Sequence, residues 1–185
     1  MLNIPNSLTL FRVALIPVFV VVFFLPFHWS GPVSAGIFAL ASITDWLDGY
    51  LARRLKQSSP FGAFLDPVAD KLIVVVALVL LVSAHPYWWV AIAAAIIVGR
   101  EITISGLREW MAEMGARQRV AVSTVAKYKT AGQMAAITIM LYRIPLAGFP
   151  VYLVGLALLF VSAALTLWTM AWYLHAAWPQ MRSRG

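Results

Sequence analysis

The chain has 185 residues, of which 62% are hydrophobic and only 11% charged, with a mean hydropathy of +0.85. A soluble domain carries roughly 45–50% apolar and 25% charged residues, and here apolar residues fill nearly every segment between the charges, leaving too little polar surface to cover a water-soluble core. Cysteine is absent, which excludes a disulfide framework and a thiolate metal site; the formal net charge of +7 admits nucleic acid, an anionic membrane face or an acidic substrate until the charges are placed.

The N-terminal stretch MLNIPNSLTLFR lacks the order of a cleaved signal peptide, because polar residues precede Arg12 and no small-residue cleavage site follows the apolar run. It is expected to be retained as an interfacial segment along the membrane surface, with Leu2, Ile4, Leu8 and Leu10 as a shallow apolar contact. Apolar segments then run over 13–27, 32–51, 64–84, 87–107, 130–142 and 150–174. They predict about six transmembrane helices of near the required 17–25 residues, the first and fifth short unless they extend into polar flanks. HWSGP, QSSPFG, SAHPYW and IPLAGFP supply the Pro and Gly that punctuate helices, and 109–129 is the one long polar stretch. With no internal repeat, residues 1–185 read as a single all-α, polytopic membrane domain.

Threading these spans alternately puts Arg12, Arg53, Arg54, Lys56, Arg100, Arg108, Arg117, Arg119, Lys127, Lys129, Arg182 and Arg184 on one side and Arg143 opposite. By the positive-inside rule the basic side is the cytoplasm, and both termini lie there. Trp29, Trp88, Trp89, Trp168, Trp172 and Trp178 fall near span ends, where amphipathic rings sit. Topology and attraction to anionic lipid account for most of the basic charge, so no nucleic-acid partner is needed.

Of seven acidic residues, four lie in TDWLDGYLARRLKQSSPFGAFLDPVADK, at the cytoplasmic ends of the second and third spans: Asp45, Asp48, Asp66 and Asp70. A carboxylate near the bilayer centre costs roughly 2.5–3.5 kcal/mol, less toward the interface, so four together need cations or must take up protons. At about 100° per residue, Asp45, Asp48, Gly49 and Ala52 share one stripe with Arg53 at its edge. Asp66 and Asp70, four apart, share another. The short QSSP connection makes the two helices antiparallel, so the acidic faces can meet. Either Ser59-Pro60 or Asp66-Pro67 has the chemistry to start the third helix; Ser59-Pro60 is favoured because the helix then carries both aspartates, with Pro67 a tolerated kink. Gly49, Ala52, Gly62 and Ala63 fit either close helix packing or room for a bulky substrate.

Hard oxygen ligands without His or Cys favour Mg²⁺ or Mn²⁺ and also admit Ca²⁺. His28, His85 and His175 lie in loops or at span ends and read as interfacial residues. Carboxylates beside Arg53 and Arg54 describe a place where metal ions and cationic side chains hold a phosphorylated ligand. A divalent-cation transporter or sensor is the competing class. Against it, the acids gather toward one membrane face, whereas transporter sites lie near the midplane.

The spacing Asp45-x-x-Asp48-Gly49-x-x-Ala52-Arg53, eight residues, Gly62-x-x-x-Asp66-x-x-x-Asp70 resembles the complete signature of the CDP-alcohol phosphotransferases. NIPNSLTLFR, FGAFLDPVADK, GREITISGLRE and KYKTAGQ are similar to the members of that family that use glycerol 3-phosphate as acceptor. The resemblance implies a six-helix fold in a bacterial inner membrane, often as a homodimer. It also implies transfer of a phosphatidyl group from CDP-diacylglycerol to glycerol 3-phosphate with release of CMP. Family members with another acceptor, making cardiolipin, phosphatidylserine or phosphatidylinositol phosphate, are the nearest alternatives. By the same resemblance Asp45, Asp48 and Asp66 would be the principal ligands of two metal ions, and Asp70 would accept the hydroxyl proton and also touch a metal. Asp48, Gly49, Ala52, Arg53 and Gly62 would line the CDP-diacylglycerol pocket. The dianionic head of glycerol 3-phosphate requires fixed cations, for which Arg100, Arg108, Lys127 and Lys129 are the candidates; Arg108 and Lys127 are preferred where flanking helices re-enter the interface. Glu101 is the alternative partner of Arg100.

Overall fold

The computed structural model describes residues 4–55, 60–113, 124–145 and 148–182. Lys56, Ser59, Arg117, Arg119 and Arg184 lie outside the described residues, and for Asp48, Gly49, Ala52, Arg53, Ala63, Arg108 and Lys127 only the helical backbone is described. Six helices follow one another: α1 Ile4–Phe24, α2 Ser30–Leu55, α3 Pro60–Ala84, α4 Trp88–Glu113, α5 Thr124–Tyr142 and α6 Val151–Arg182. At about 1.5 Å per residue, helices of 19 to 32 residues reach roughly 30 Å or more.

Four of them are long and apolar enough to cross a membrane among the described residues, over Asn6–Phe24, Phe64–Ala84, Trp88–Met111 and Val151–Trp172. The outer surface agrees with a lipid solvent: Phe24, Val21, Val79, Trp168 and Trp172 are all exposed. The chain is a multi-pass, all-helical membrane protein. The expected spans over 32–51 and 130–142 are helical as α2 and α5, but both carry inward polar residues that lower their hydropathy: Ser34 and Thr44 in α2, Lys129 and Gln133 in α5, all buried. α2 packs on α5, on α1 and on α3, which hides that polarity from lipid.

Two expectations about helix starts have definite outcomes. α3 begins at Pro60 and runs unbroken through Pro67, so Asp66 is an interior residue of the helix and not its cap. Residues 4–12, expected to lie along the membrane surface as a separate segment, are instead the first turns of α1 and continuous with the span. The reason is their inward face. Asn6, Thr9, Arg12, Ile16, Phe19 and Phe23 are the buried residues of α1, spaced by three and four as one side of a helix requires. The first three find polar partners and the last three join the apolar core.

That core is built from the same spacing on neighbouring helices: Ala35 and Phe38 of α2, Ile73, Ala77, Leu78 and Leu81 of α3, Ala93 and Ile97 of α4, Ile137 and Met140 of α5 and Leu159 of α6. Phe19 lies edge-on to Phe23 and tilted against Phe38, at centroid separations of 6.4 and 6.3 Å. Hydroxyls inside the helices donate to carbonyls one turn back, as in Ser42 to Phe38, Thr138 to Met134 and Thr169 to Leu165, at 2.8–2.9 Å. In lipid this local pairing is the cheapest way to satisfy them.

The α5–α6 contact depends on the absence of a side chain at Gly155. A Cβ there would stand 2.7 Å from Met140 Cγ and 3.1 Å from the Ala136 carbonyl oxygen. Gly155→Leu is expected to destabilise the bundle by about 1–3 kcal/mol through overpacking, read as a lower thermal unfolding temperature of the detergent-solubilised protein; an unchanged temperature would contradict this close approach.

Candidate active site

The alternating helices bring one set of ends together: the start of α1, the end of α2, the start of α3, the part of α4 around Glu101, and the start of α5. Asp45 lies on α2, and Asp66 and Asp70 on α3, all three half-buried. α1 packs against both α2 and α3 more extensively than these pack on each other. The two acidic helices therefore meet through α1. Arg12 Nη1 donates to Asp45 Oδ1 at 2.7 Å, and the Thr9 hydroxyl donates to Asp66 Oδ1.

Neither Thr9 nor Arg12 was singled out by sequence as a site residue. The signal available was their spacing with Asn6, three residues apart each time, which makes a polar stripe about 120° wide in front of an apolar run. Arg12 is fully buried, while the Asp45 side chain is 39% exposed. The guanidinium is thus the desolvated member and Asp45 its counter-charge. Asp70 is within electrostatic reach of Asp45, Arg12, Glu101 and its neighbour Lys71, so charges from four helices converge around it.

A second polar group lies between α4 and α5. Arg100 Nη1 donates to Glu101 Oε1 at 2.5 Å, and Lys129 Nζ stands 3.9 Å from the same oxygen. Both cations are buried. Two positive charges share one carboxylate, which leaves a positive balance in a place where charge is weakly screened. Arg100 Nε has no hydrogen-bond partner among the described residues. Of the four cations expected for an acceptor phosphate, then, Arg100 and Lys129 lie together on Glu101; Arg108 and Lys127 have their backbones on α4 and α5.

The other expected residues follow the helices. Asp48, Gly49, Ala52 and Arg53 lie on α2 beyond Asp45, and Gly62 is buried in the first turn of α3. The donor chemistry here fits a hard divalent cation: carboxylate oxygens with no thiolate or imidazole beside them. The bonds from Arg12 and Thr9 use only Oδ1 of Asp45 and Asp66. Among the described residues no three acidic or histidine side chains are close enough to hold one ion together.

The CDP-alcohol phosphatidyltransferase family model matches residues 2–174. The chain belongs to that family. Among its relatives, a protein of Pseudomonas fluorescens is 55% identical over 185 residues, covering 100% of this chain and 94% of its own length. One from Salmonella paratyphi A is 58% identical over 175 residues, and one from Shigella flexneri serotype 5b is 56% identical over 175, each covering 95% of this chain and 94% of the relative. All three carry the name CDP-diacylglycerol–glycerol-3-phosphate 3-phosphatidyltransferase. The signature aspartates of this family member thus stand at helix ends that α1 pins together.

Removing Arg12 strands Asp45 beside Asp70. Breaking a fully buried pair costs about 3–5 kcal/mol, and the exposure of Asp45 reduces this through solvent screening. Arg12→Ala is therefore expected to lower stability by about 1–3 kcal/mol, with Arg12→Lys recovering only part because one ammonium cannot reproduce the guanidinium fork. Thermal unfolding of both variants reads the effect; full recovery by lysine would contradict the role of the fork.

Proposed function

We propose that this chain transfers the phosphatidyl group of CDP-diacylglycerol to the hydroxyl of glycerol 3-phosphate, giving phosphatidylglycerol phosphate and CMP, at the aspartate end of the bundle. The observation that carries the reading is that one helix, α1, holds both Asp45 and Asp66 through Arg12 and Thr9, with Asp70 in electrostatic reach of Asp45, on an apolar-surfaced helical scaffold. Full-length likeness to proteins named for that reaction supports it. The orientation follows from the basic charge: this end and both termini face the cytoplasm of a bacterial inner membrane. A lipid substrate keeps its acyl chains in hydrocarbon there while its nucleotide reaches the interface.

Asp45, Asp48, Asp66 and Asp70 would hold Mg²⁺ or Mn²⁺, two ions by family resemblance. Such ions supply charge neutralisation of the diphosphate and of the departing CMP. The protein's part is positioning. Arg12 fixes Asp45 and Thr9 fixes Asp66, so the carboxylates are oriented before substrate arrives. Asp70 accepts the proton of the attacking hydroxyl at a carboxylate oxygen. Asp48, Gly49, Ala52, Arg53 and Gly62 line the nucleotide pocket, the small residues admitting close approach. Arg100, Arg108, Lys127 and Lys129 supply the cations for the acceptor's phosphate; the positive balance around Glu101 supports this assignment. We also propose that the chain forms a single domain and works as a homodimer.

The direct experiment is CMP release from CDP-diacylglycerol by the purified protein, with and without glycerol 3-phosphate. CMP formation is expected to require the acceptor, to stop on addition of EDTA and to return with excess Mg²⁺ or Mn²⁺. Activity that survives chelation would remove the metal from the mechanism, and ion flux without CMP would favour a transporter. Asp70→Asn should lower turnover by about 10²-fold or more, the lower range for a lost general base, with an unchanged unfolding temperature. Near-normal CMP release by that variant would sink the proton-accepting role.

The acceptor cations give a separate expectation. Arg108→Ala or Lys127→Ala should raise the apparent KM for glycerol 3-phosphate by about tenfold, since a charge-assisted hydrogen bond contributes about 1.5–3 kcal/mol. The KM for CDP-diacylglycerol should change far less. Equal shifts in both would contradict a dedicated phosphate site.

A further inference from the structure

At the end of the bundle away from the aspartates, half-buried polar residues from three places in the chain line a small open cavity. It measures about 230 Å³ and is lined by Ala84, His85, Arg143 and Tyr152. Sites for drug-sized ligands occupy roughly 300–1,000 Å³, so this one suits a small group. The His85 and Tyr152 rings lie against each other with centroids 4.2 Å apart, and the Arg143 guanidinium carbon stands 3.8 Å from the centroid of the Phe23 ring.

The polar atoms here are buried yet unmatched. His85 Nε2, Arg143 Nε and Nη2 and the Tyr152 hydroxyl have no hydrogen-bond partner among the described residues. Each such atom costs about 1–3 kcal/mol when left unpaired, more when charged. Native interiors leave few of them, and a group gathered beside one cavity is a place where water or a bound ion supplies the missing partners. No carboxylate is among the lining residues. Burial, and then the Arg143 charge, lower the basicity of His85, so the imidazole is neutral near pH 7 and Arg143 carries the formal charge.

The backbone holds this arrangement under strain. Arg143 has φ of 60°, and the Ile144 N–H donates to the Tyr142 carbonyl at 2.8 Å, closing a three-residue turn around it. A residue other than glycine pays about 1–3 kcal/mol for such a conformation and keeps it only where its surroundings impose it. α2 approaches closely here because Gly31 has no side chain: a Cβ would stand 2.6 Å from the Tyr142 carbonyl oxygen. Nearby, Trp29 stacks on Phe27 and Tyr87 on Trp89, at 5.3 and 4.7 Å. Trp and Tyr in such positions mark the depth of lipid headgroups.

We propose that this cavity binds a phosphate-bearing anion, with Arg143 and the Tyr152 hydroxyl as donors and His85 as the third polar wall. The planar guanidinium fork matches phosphate oxygens bidentately, and phosphate is the anionic group available at headgroup depth. The site is separate from the aspartates, since fifteen residues of chain from Asp70 to His85 span roughly 20 Å along the axis of α3. The phosphate could belong to a phospholipid or be free in solution.

The full chain in uncharged maltoside micelles, labelled with ¹⁵N-histidine, tests this by following the His85 imidazole signals during titration. Three probes are used: phosphatidylglycerol, diacylglycerol as the phosphate-free control, and inorganic phosphate. Saturable movement of the His85 signals by phosphatidylglycerol, and none by diacylglycerol, is the expected result. Arg143→Gln should weaken the apparent Kd at least tenfold. Should that variant fail to fold, Tyr152→Phe removes a single donor and should weaken it about threefold or more. Movement by inorganic phosphate as well identifies the bare anion as sufficient; movement by the lipid alone identifies the headgroup. Unmoved His85 signals with both phosphate probes in the wild-type protein would overturn the site, as would wild-type Kd values in the folded variants.

Discussion

A fully buried guanidinium against a carboxylate, Arg12 on Asp45, is the constraint from which the arrangement of the aspartate end follows. Neither partner is tolerable alone at the edge of a bilayer: an unpaired carboxylate resists insertion, and an unpaired guanidinium inside the bundle loses its hydration. Together they fix α1 to α2. Thr9 on Asp66 then fixes α1 to α3. Two hydrogen-bonded contacts one helical turn apart set both the depth and the rotation of three helices. That is how acidic groups on separate elements come to share one region despite their mutual repulsion.

The inward faces of the helices explain how stability and chemistry coexist. On α1 the buried residues pass from Asn6, Thr9 and Arg12 to Ile16, Phe19 and Phe23; on α5 they pass from Lys129 and Gln133 to Ile137 and Met140. Each helix is thus polar inside at one end and apolar inside beyond it. The apolar part packs tightly and holds the polar part in place, so the carboxylates and cations need not be positioned by long flexible loops. Lipid contributes no hydrophobic drive between helices. Close contacts such as Gly155 against Met140, and satisfied polar pairs, therefore carry a large share of the association.

Much of this was legible in the sequence, for reasons that can be named. The four aspartates stood out because acids are rare in an apolar chain and each carries an insertion cost. The antiparallel course of α2 and α3 followed from a connection too short for anything else, and Ser59-Pro60 marked the start of α3 correctly as a helix carrying Asp66 inside it. The first turns of α1 were misread as a surface segment because hydropathy averages over all sides of a helix. A stripe of three polar residues on one face disappears in that average. The link from Lys129 to Glu101 joins residues far apart in sequence, and no local pattern encodes it. Six apolar stretches suggest about six spans, and the inward polarity of α2 and α5 sets these two apart from the four helices that are apolar enough to cross a membrane among the described residues.

The two ends of the bundle use arginine in opposite ways. Arg12 faces the carboxylate of Asp45, while Arg100 and, with it, Lys129 share that of Glu101, which offsets part of the charge and orients the acids. Arg143 faces the ring of Phe23 instead. A cation–π contact contributes about 0.5–2 kcal/mol and attracts the guanidinium without occupying its in-plane N–H donors. A carboxylate in the same place would have consumed both the charge and the donors. By holding Arg143 with an aromatic face and a strained turn, the fold keeps a half-buried positive charge beside the cavity, with Nε and Nη2 unmatched among the described residues, and this is the arrangement on which the proposed anion site rests.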